Sequence, residues 1–168
     1  FGLGGSPIIS RLLGEKNETA AKKASAFCIW TSIGFGLLVT LILLLFRAPV
    51  LALLGAKGTT YQHASDYYTW IAIGSAAIIF GLVPSNILRT EGMAAQAMIG
   101  SILGSIINIV LDPMFIFVLN QGAAGAAIAT VLGNVFADCY YLFVIVTKSQ
   151  RLSASIREIH ISRTMARD

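Results

Sequence analysis

Asp112 is the only charge in an apolar stretch that runs from residue 97 to residue 119. Asn108 lies four residues earlier, and that spacing puts both side chains on nearly one face of a helix. Pro113 follows Asp112 directly and has no N–H to give to the carbonyl of Ile109. A carboxylate, an amide and a freed carbonyl together form an oxygen-rich group, of the kind that holds a cation where backbone is irregular inside a membrane. The next apolar stretch carries Thr130, Asn134 and Asp138, again four residues apart. An ionisable side chain inside such a stretch is costly to bury, so it is read first as functional. The bland alternative for Thr130 and Asn134 is hydrogen bonding between helices.

These residues need elements that bring them together at one depth. Of the 168 residues, 56% are apolar and 12% charged, and the mean hydropathy is +0.78. A soluble domain carries about twice that charged fraction. The apolar residues fall in four long blocks, at about residues 28–46, 67–88, 97–119 and 122–147, each long enough to cross a bilayer as a helix. The expected fold is therefore an all-α integral membrane bundle. Tyr67, Tyr68 and Trp70 mark an interfacial aromatic belt at the start of the second block. Pro84 predicts a kink near its end. Residues 11–23 read as a polar loop, residues 89–96 as a tight polar turn, and residues 50–54 as an apolar patch in the interface.

Asn120 and Gln121 leave room only for a hairpin, so the third and fourth spans are neighbours. A rise of about 1.5 Å per residue puts Asp112 and Thr130 some ~10 and ~12 Å below the outer end, and Asn108 and Asn134 ~16 and ~18 Å below it. Thr130 is then expected to face Asp112, and Asn134 to face Asn108. Gly100, Gly104 and Asn108 on one span, and Gly122, Ala126, Thr130, Asn134 and Asp138 on the other, recur every four residues. Small residues at that spacing allow close helix packing. Asp138 lies nearer the opposite end of its span, where water reaches more easily, and with Asn134 forms a possible secondary polar site.

Four antiparallel spans alternate their loops between two sides. One side collects Arg11, Lys16, Lys22, Lys23, Arg89, Lys148, Arg151, Arg157, Arg163 and Arg167, and the other only Arg47 and Lys57. The positive-inside rule makes the first side cytoplasmic, with both ends of the chain on it. The basic residues sit at block ends and form no patch, which argues against nucleic acid as a partner. Asn17-Glu18-Thr19 fits a glycosylation acceptor but falls on the cytoplasmic side, so it is read as chance. Cys28 and Cys139 read as small buried hydrophobes. No cofactor motif or metal-ligand cluster stands out beyond a possible Na⁺ site, and no catalytic set supports an enzyme. Residues 148–168 read as a basic amphipathic segment on the membrane surface.

Several motifs resemble those of multidrug and toxic compound extrusion (MATE) transporters. Residues 4–14, GGSPIISRLLG, resemble the end of that family's second helix, and residues 88–92, LRTEG, its turn between the fourth and fifth. Residues 108–117, NIVLDPMFIF, and 125–134, GAAIATVLGN, resemble its fifth and sixth helices. The resemblance implies twelve helices in two six-helix lobes that export cationic or amphipathic drugs in exchange for Na⁺ or H⁺. This chain would then be part of the N-terminal lobe, in a multi-pass bacterial plasma membrane. Residues 1–10 would end a truncated helix, and residues 148–168 would begin the linker to a missing remainder. It also implies that Asn108, Asp112 and Thr130 belong to a cation site completed by an Asp on the family's first helix. Two other readings stay open: a lipid-linked oligosaccharide flippase of the same superfamily, and a non-transporting membrane scaffold.

Overall fold

The computed structural model describes residues 2–55 and 58–149. Six α-helices follow in order: α1 (Gly2–Gly14), α2 (Glu18–Leu45), α3 (Arg47–Leu53), α4 (Thr59–Thr90), α5 (Ala94–Pro113) and α6 (Gly122–Lys148), with a π-helical turn, Met114–Val118, between the last two. There is no strand among the described residues. The helices α2, α4, α5 with its π turn, and α6 are long and apolar enough to cross a membrane.

The apolar blocks mark only the middles of longer helices. The expected polar loop over residues 11–23 shrinks to a turn around Glu15 and Lys16, because Asn17 caps α2 at its N-terminus. Its Oδ1 accepts from Ala20 N–H at 3.2 Å, so one of the helix's unpaired donors is satisfied. Lys22 and Lys23 then extend α2 as ordinary helix formers. The capping role gives Asn17 a structural reason to stand in its Asn-Glu-Thr triplet. The turn predicted over residues 89–96 narrows to residues 91–93, with Gly92 at φ 84° closing it. The helix α4 continues through Pro84 to Thr90.

The patch after the first span folds as the short helix α3. Its Leu51 is buried, whereas Leu53 and Leu54 point outward. Arg47 at its start donates to Ser65 of α4. Cys28 is buried as expected, but Cys139 is exposed on the outer face of α6. The expected amphipathic segment over residues 148–168 falls almost wholly outside the described residues.

The bundle is built around α4 and α6. The former packs on α1, α2, α5 and α6, and the latter on α4, α5 and the π turn. Ile9, Ile29, Ile87, Leu88, Val144 and Ile145 fill the core at the Arg89–Lys148 end. Farther along the spans, polar bonds join the helices: Thr40 and Ser75 hydroxyls lie 2.8 Å apart, and Tyr68 donates to the Leu43 carbonyl at 2.9 Å. Within lipid such bonds and close packing hold helices together, since apolar burial gives little preference for protein over lipid tails. The outer face of α5, with Ile99, Ile102, Ile106 and Ile109, is exposed.

Candidate cation site and its cavity

The helices α5 and α6 touch backbone to backbone at Gly104 and Gly133. A Cβ on Gly104 would stand 2.8 Å from the Gly133 carbonyl oxygen, and one on Gly133 would stand 2.6 Å from that of Gly104. Only glycine fits at either position. On α6 the buried row is Gly125, Ala129, Gly133 and Ala137, one residue away from the small-residue row that spacing picked out. The reason is rotational. A four-residue row wraps around its helix, and two adjacent rows of small residues were present. The row containing Thr130, Asn134 and Asp138 therefore borders the contact instead of filling it.

That rotation decides which polar groups meet. The Asn108 amide nitrogen donates to Asp112 Oδ1 at 3.3 Å, one turn on along α5, and to Thr130 Oγ1 on α6 at 3.4 Å. The Thr130 hydroxyl donates to the Ala126 carbonyl at 2.9 Å. Asn134 donates to the Thr130 carbonyl of its own helix at 2.8 Å. So Asn108, Asp112 and Thr130 do come together, but Asn108 takes the place opposite Thr130 that depth matching gave to Asp112. Asn134 does not bond Asn108.

Irregular backbone begins directly after Asp112. Pro113 lacks a donor, and beyond it the ladder widens: Leu119 N–H reaches the Met114 carbonyl at 3.0 Å, five residues back, and Gln121 N–H that of Phe115 at 3.1 Å. Wide turns of this type occur at helix C-termini, and here one closes the end of α5. Periodicity alone carried no sign of it, although Asp112-Pro113 marked the place.

Beside the triad lies a cavity of about 390 Å³ between α4, α5 and α6. Asn108 and Thr130 line one part of it, and Asn134, Asp138 and Tyr141 continue along α6. Ser85, Asn86 and Arg89 line it from α4. Sequence reasoning missed Ser85 and Asn86, which read as the end of an apolar block, and read Arg89 only as the start of a polar turn. Asp138 is 7% exposed, more enclosed by its neighbours than its distance from the helix end implied, although it borders the cavity. Its carboxylate lies against Gly81 of α4.

A model of the MatE family matches residues 1–114 of this sequence. The chain belongs to the MatE family. Curated relatives of this MatE chain include the multidrug export protein MepA of Staphylococcus haemolyticus, 32% identical over 168 residues, which covers the whole of this chain and 37% of that protein. MepA of Staphylococcus aureus is 33% identical over 157 residues, covering 94% of this chain and 35% of its own length. The chain thus spans little more than a third of the relatives it matches. Among solved structures, the inward-facing form of a multidrug resistance MATE family transporter of the MOP superfamily superposes with a TM-score of 0.90 at 32% identity, covering 98% of this chain and 38% of that one. The outward-facing form of a MATE transporter of that superfamily gives 0.89 at 32% identity, with 98% and 37% covered.

Proposed function

We propose that this chain is part of a secondary active multidrug exporter, and that Asn108, Asp112 and Thr130 hold its coupling ion. The observation that carries this reading is the Asn108 bridge between a carboxylate and a hydroxyl inside two adjacent spans. A charged side chain at the centre of a span costs about 3 kcal/mol on insertion scales. The one hydrogen bond that Asp112 accepts among the described residues offsets part of that and leaves further lone pairs open. The Asn108 carbonyl oxygen and the Thr130 hydroxyl oxygen add hard donors of the type that suits Na⁺. A proton on Asp112 would neutralise the same charge without any other ligand.

Coupling follows from that neutralisation. An ion that binds one conformation better than the other shifts the equilibrium toward it. The bundle resembles both the inward-facing and the outward-facing forms of MATE transporters, with TM-scores of 0.90 and 0.89. This supports a bundle that moves as a unit, with the change falling at its contacts with the rest of the transporter. The MepA relatives, named multidrug export proteins, support drugs as cargo. A cationic, amphipathic cargo agrees with a cavity that holds a carboxylate, Asp138, inside and keeps its one lining guanidinium, Arg89, exposed. That arrangement weighs against a flippase for a pyrophosphate-linked sugar, which would want basic residues inside. The Arg89–Lys148 end carries the basic loops, which supports its facing the cytoplasm of a bacterial cell.

Efflux of a fluorescent organic cation from proteoliposomes of the full-length transporter, under imposed Na⁺ or pH gradients, tests the reading and identifies the ion. Asp112→Asn is expected to remove gradient-driven efflux while membrane insertion persists. Undiminished efflux in that variant would leave the scaffold reading of these residues standing and this one refuted.

A further inference from the structure

We infer that the cavity between α4, α5 and α6 is the inward half of the coupling ion's path, and that Asp138 is a second acceptor of the same monovalent cation. This rests on the reading of Asn108, Asp112 and Thr130 as the primary ion site.

Asp138 is the group that needs explaining. It is 7% exposed, yet among the described residues it accepts no hydrogen bond and makes no ion pair. A buried structural carboxylate is held by donors, because an unpaired charge in a dry site is costly. The nearest polar neighbours along α6 are committed elsewhere. Tyr141 donates to the Ala97 carbonyl and to Ser101, both at 3.3 Å, and Asn134 donates to the Thr130 carbonyl. The carboxylate instead lies against Gly81, where α4 carries no side chain, and borders the cavity. It is placed to take a cation and has no structural partner to lose.

Continuity supplies the second argument. Asn108 and Thr130, two members of the primary site, line the same cavity as Asp138. Eight residues of α6 separate Thr130 from Asp138, about 12 Å along the axis, and Asn134 stands between them. The amide of Asn134 gives its N–H to the backbone, and its carbonyl oxygen remains an acceptor on a residue that lines the cavity. The volume of about 390 Å³ has room for roughly a dozen waters, enough to pass a hydrated ion or a proton between the two carboxylates.

The charged and titratable groups that share the cavity with Asp138 are Arg89 from α4 and Tyr141 from α6; α5 contributes Ser101, Ser105 and Asn108, none of them ionised. Arg89 lines the cavity from the last turn of α4 and makes no ion pair among the described residues. A cation that leaves Asp112 therefore meets one further anion before it reaches the basic end of the bundle. Asp138 shortens the transfer by offering an intermediate station, so release is faster than from Asp112 alone.

The full-length transporter in proteoliposomes gives the test, with ethidium as cargo and separate Na⁺-gradient and pH-gradient arms. Asp138→Asn is expected to slow gradient-driven efflux about tenfold or more, as loss of a positioned proton or ion acceptor does. Asp138→Glu should recover most of the rate. Infrared difference spectra between ion-loaded and ion-free transporter should contain a carboxyl signal that Asp138→Asn removes. Wild-type efflux in Asp138→Asn, beside an inactive Asp112→Asn, overturns the relay and leaves the primary site intact. Wild-type efflux in Asp112→Asn overturns the reading on which the relay rests. Loss of folding in Asp138→Asn, or an infrared signal that this substitution leaves unchanged, assigns Asp138 a structural role and also overturns the relay.

Discussion

Asn108 reaches Thr130 across the α5–α6 interface at 3.4 Å while it holds Asp112 at 3.3 Å along its own helix. One amide thus ties the carboxylate to the neighbouring span. The bond exists because Gly104 and Gly133 let the two backbones meet one turn away, toward the Arg89–Lys148 end of the bundle. Small residues here set the distance at which polar residues can act.

The Thr130 hydroxyl is the part of this arrangement most cleanly removed. Thr130→Val keeps the shape and loses the oxygen. A hydrogen bond to a charged or ion-holding group contributes about 1.5–3 kcal/mol, so the half-saturating ion concentration for efflux should rise by about tenfold or more. Thr130→Ser should stay near wild type. Equal ion dependence in the Val variant and wild type would remove Thr130 from the site.

The glycine contact predicts a stability difference. Gly133→Ala puts a Cβ 2.6 Å from a backbone oxygen that has no rotamer to change. Overpacking of this kind costs about 1–3 kcal/mol, and the Tm in detergent should fall. Gly34→Ala meets nothing within 4 Å. It removes a mid-helix glycine and should leave the Tm unchanged or slightly raised, by up to about 1 kcal/mol in stability.

Orientation is open to a direct labelling check. In a background with Cys28 and Cys139 replaced by Ser, Lys16→Cys and Gln121→Cys place single thiols at opposite ends of the bundle, both on exposed positions. A membrane-impermeant maleimide added to intact cells should label the residue-121 thiol only. Labelling at position 16 without permeabilisation would invert the topology.

Much of this architecture was legible in the sequence, and the illegible part has a common cause. Block length and the absence of charge announced four spans, because a bilayer demands both. Polar residues inside those blocks announced the site. Helix rotation was not announced. Two overlapping rows of small residues on α6 allowed two faces to meet α5, and packing chose the row of Gly125, Gly133 and Ala137. That choice moved Thr130 onto Asn108 and turned Asp138 toward Gly81. Helix ends were also hidden: Asn17 looked like part of a loop until its side chain was seen to cap α2. The serine and asparagine of α4, Ser85 and Asn86, gained meaning only when α5 and α6 closed a cavity over them.

Ion binding in the absence of cargo tests the central claim most directly. Radiolabelled Na⁺ binding and proton release, measured on the purified full-length transporter, report the site without the rest of the transport cycle. Wild type should bind the coupling ion, and Asp112→Asn and Asn108→Ala should each weaken binding by about tenfold or more, since each removes a charge-bearing or charge-contacting group. Unchanged binding in Asp112→Asn would contradict the account.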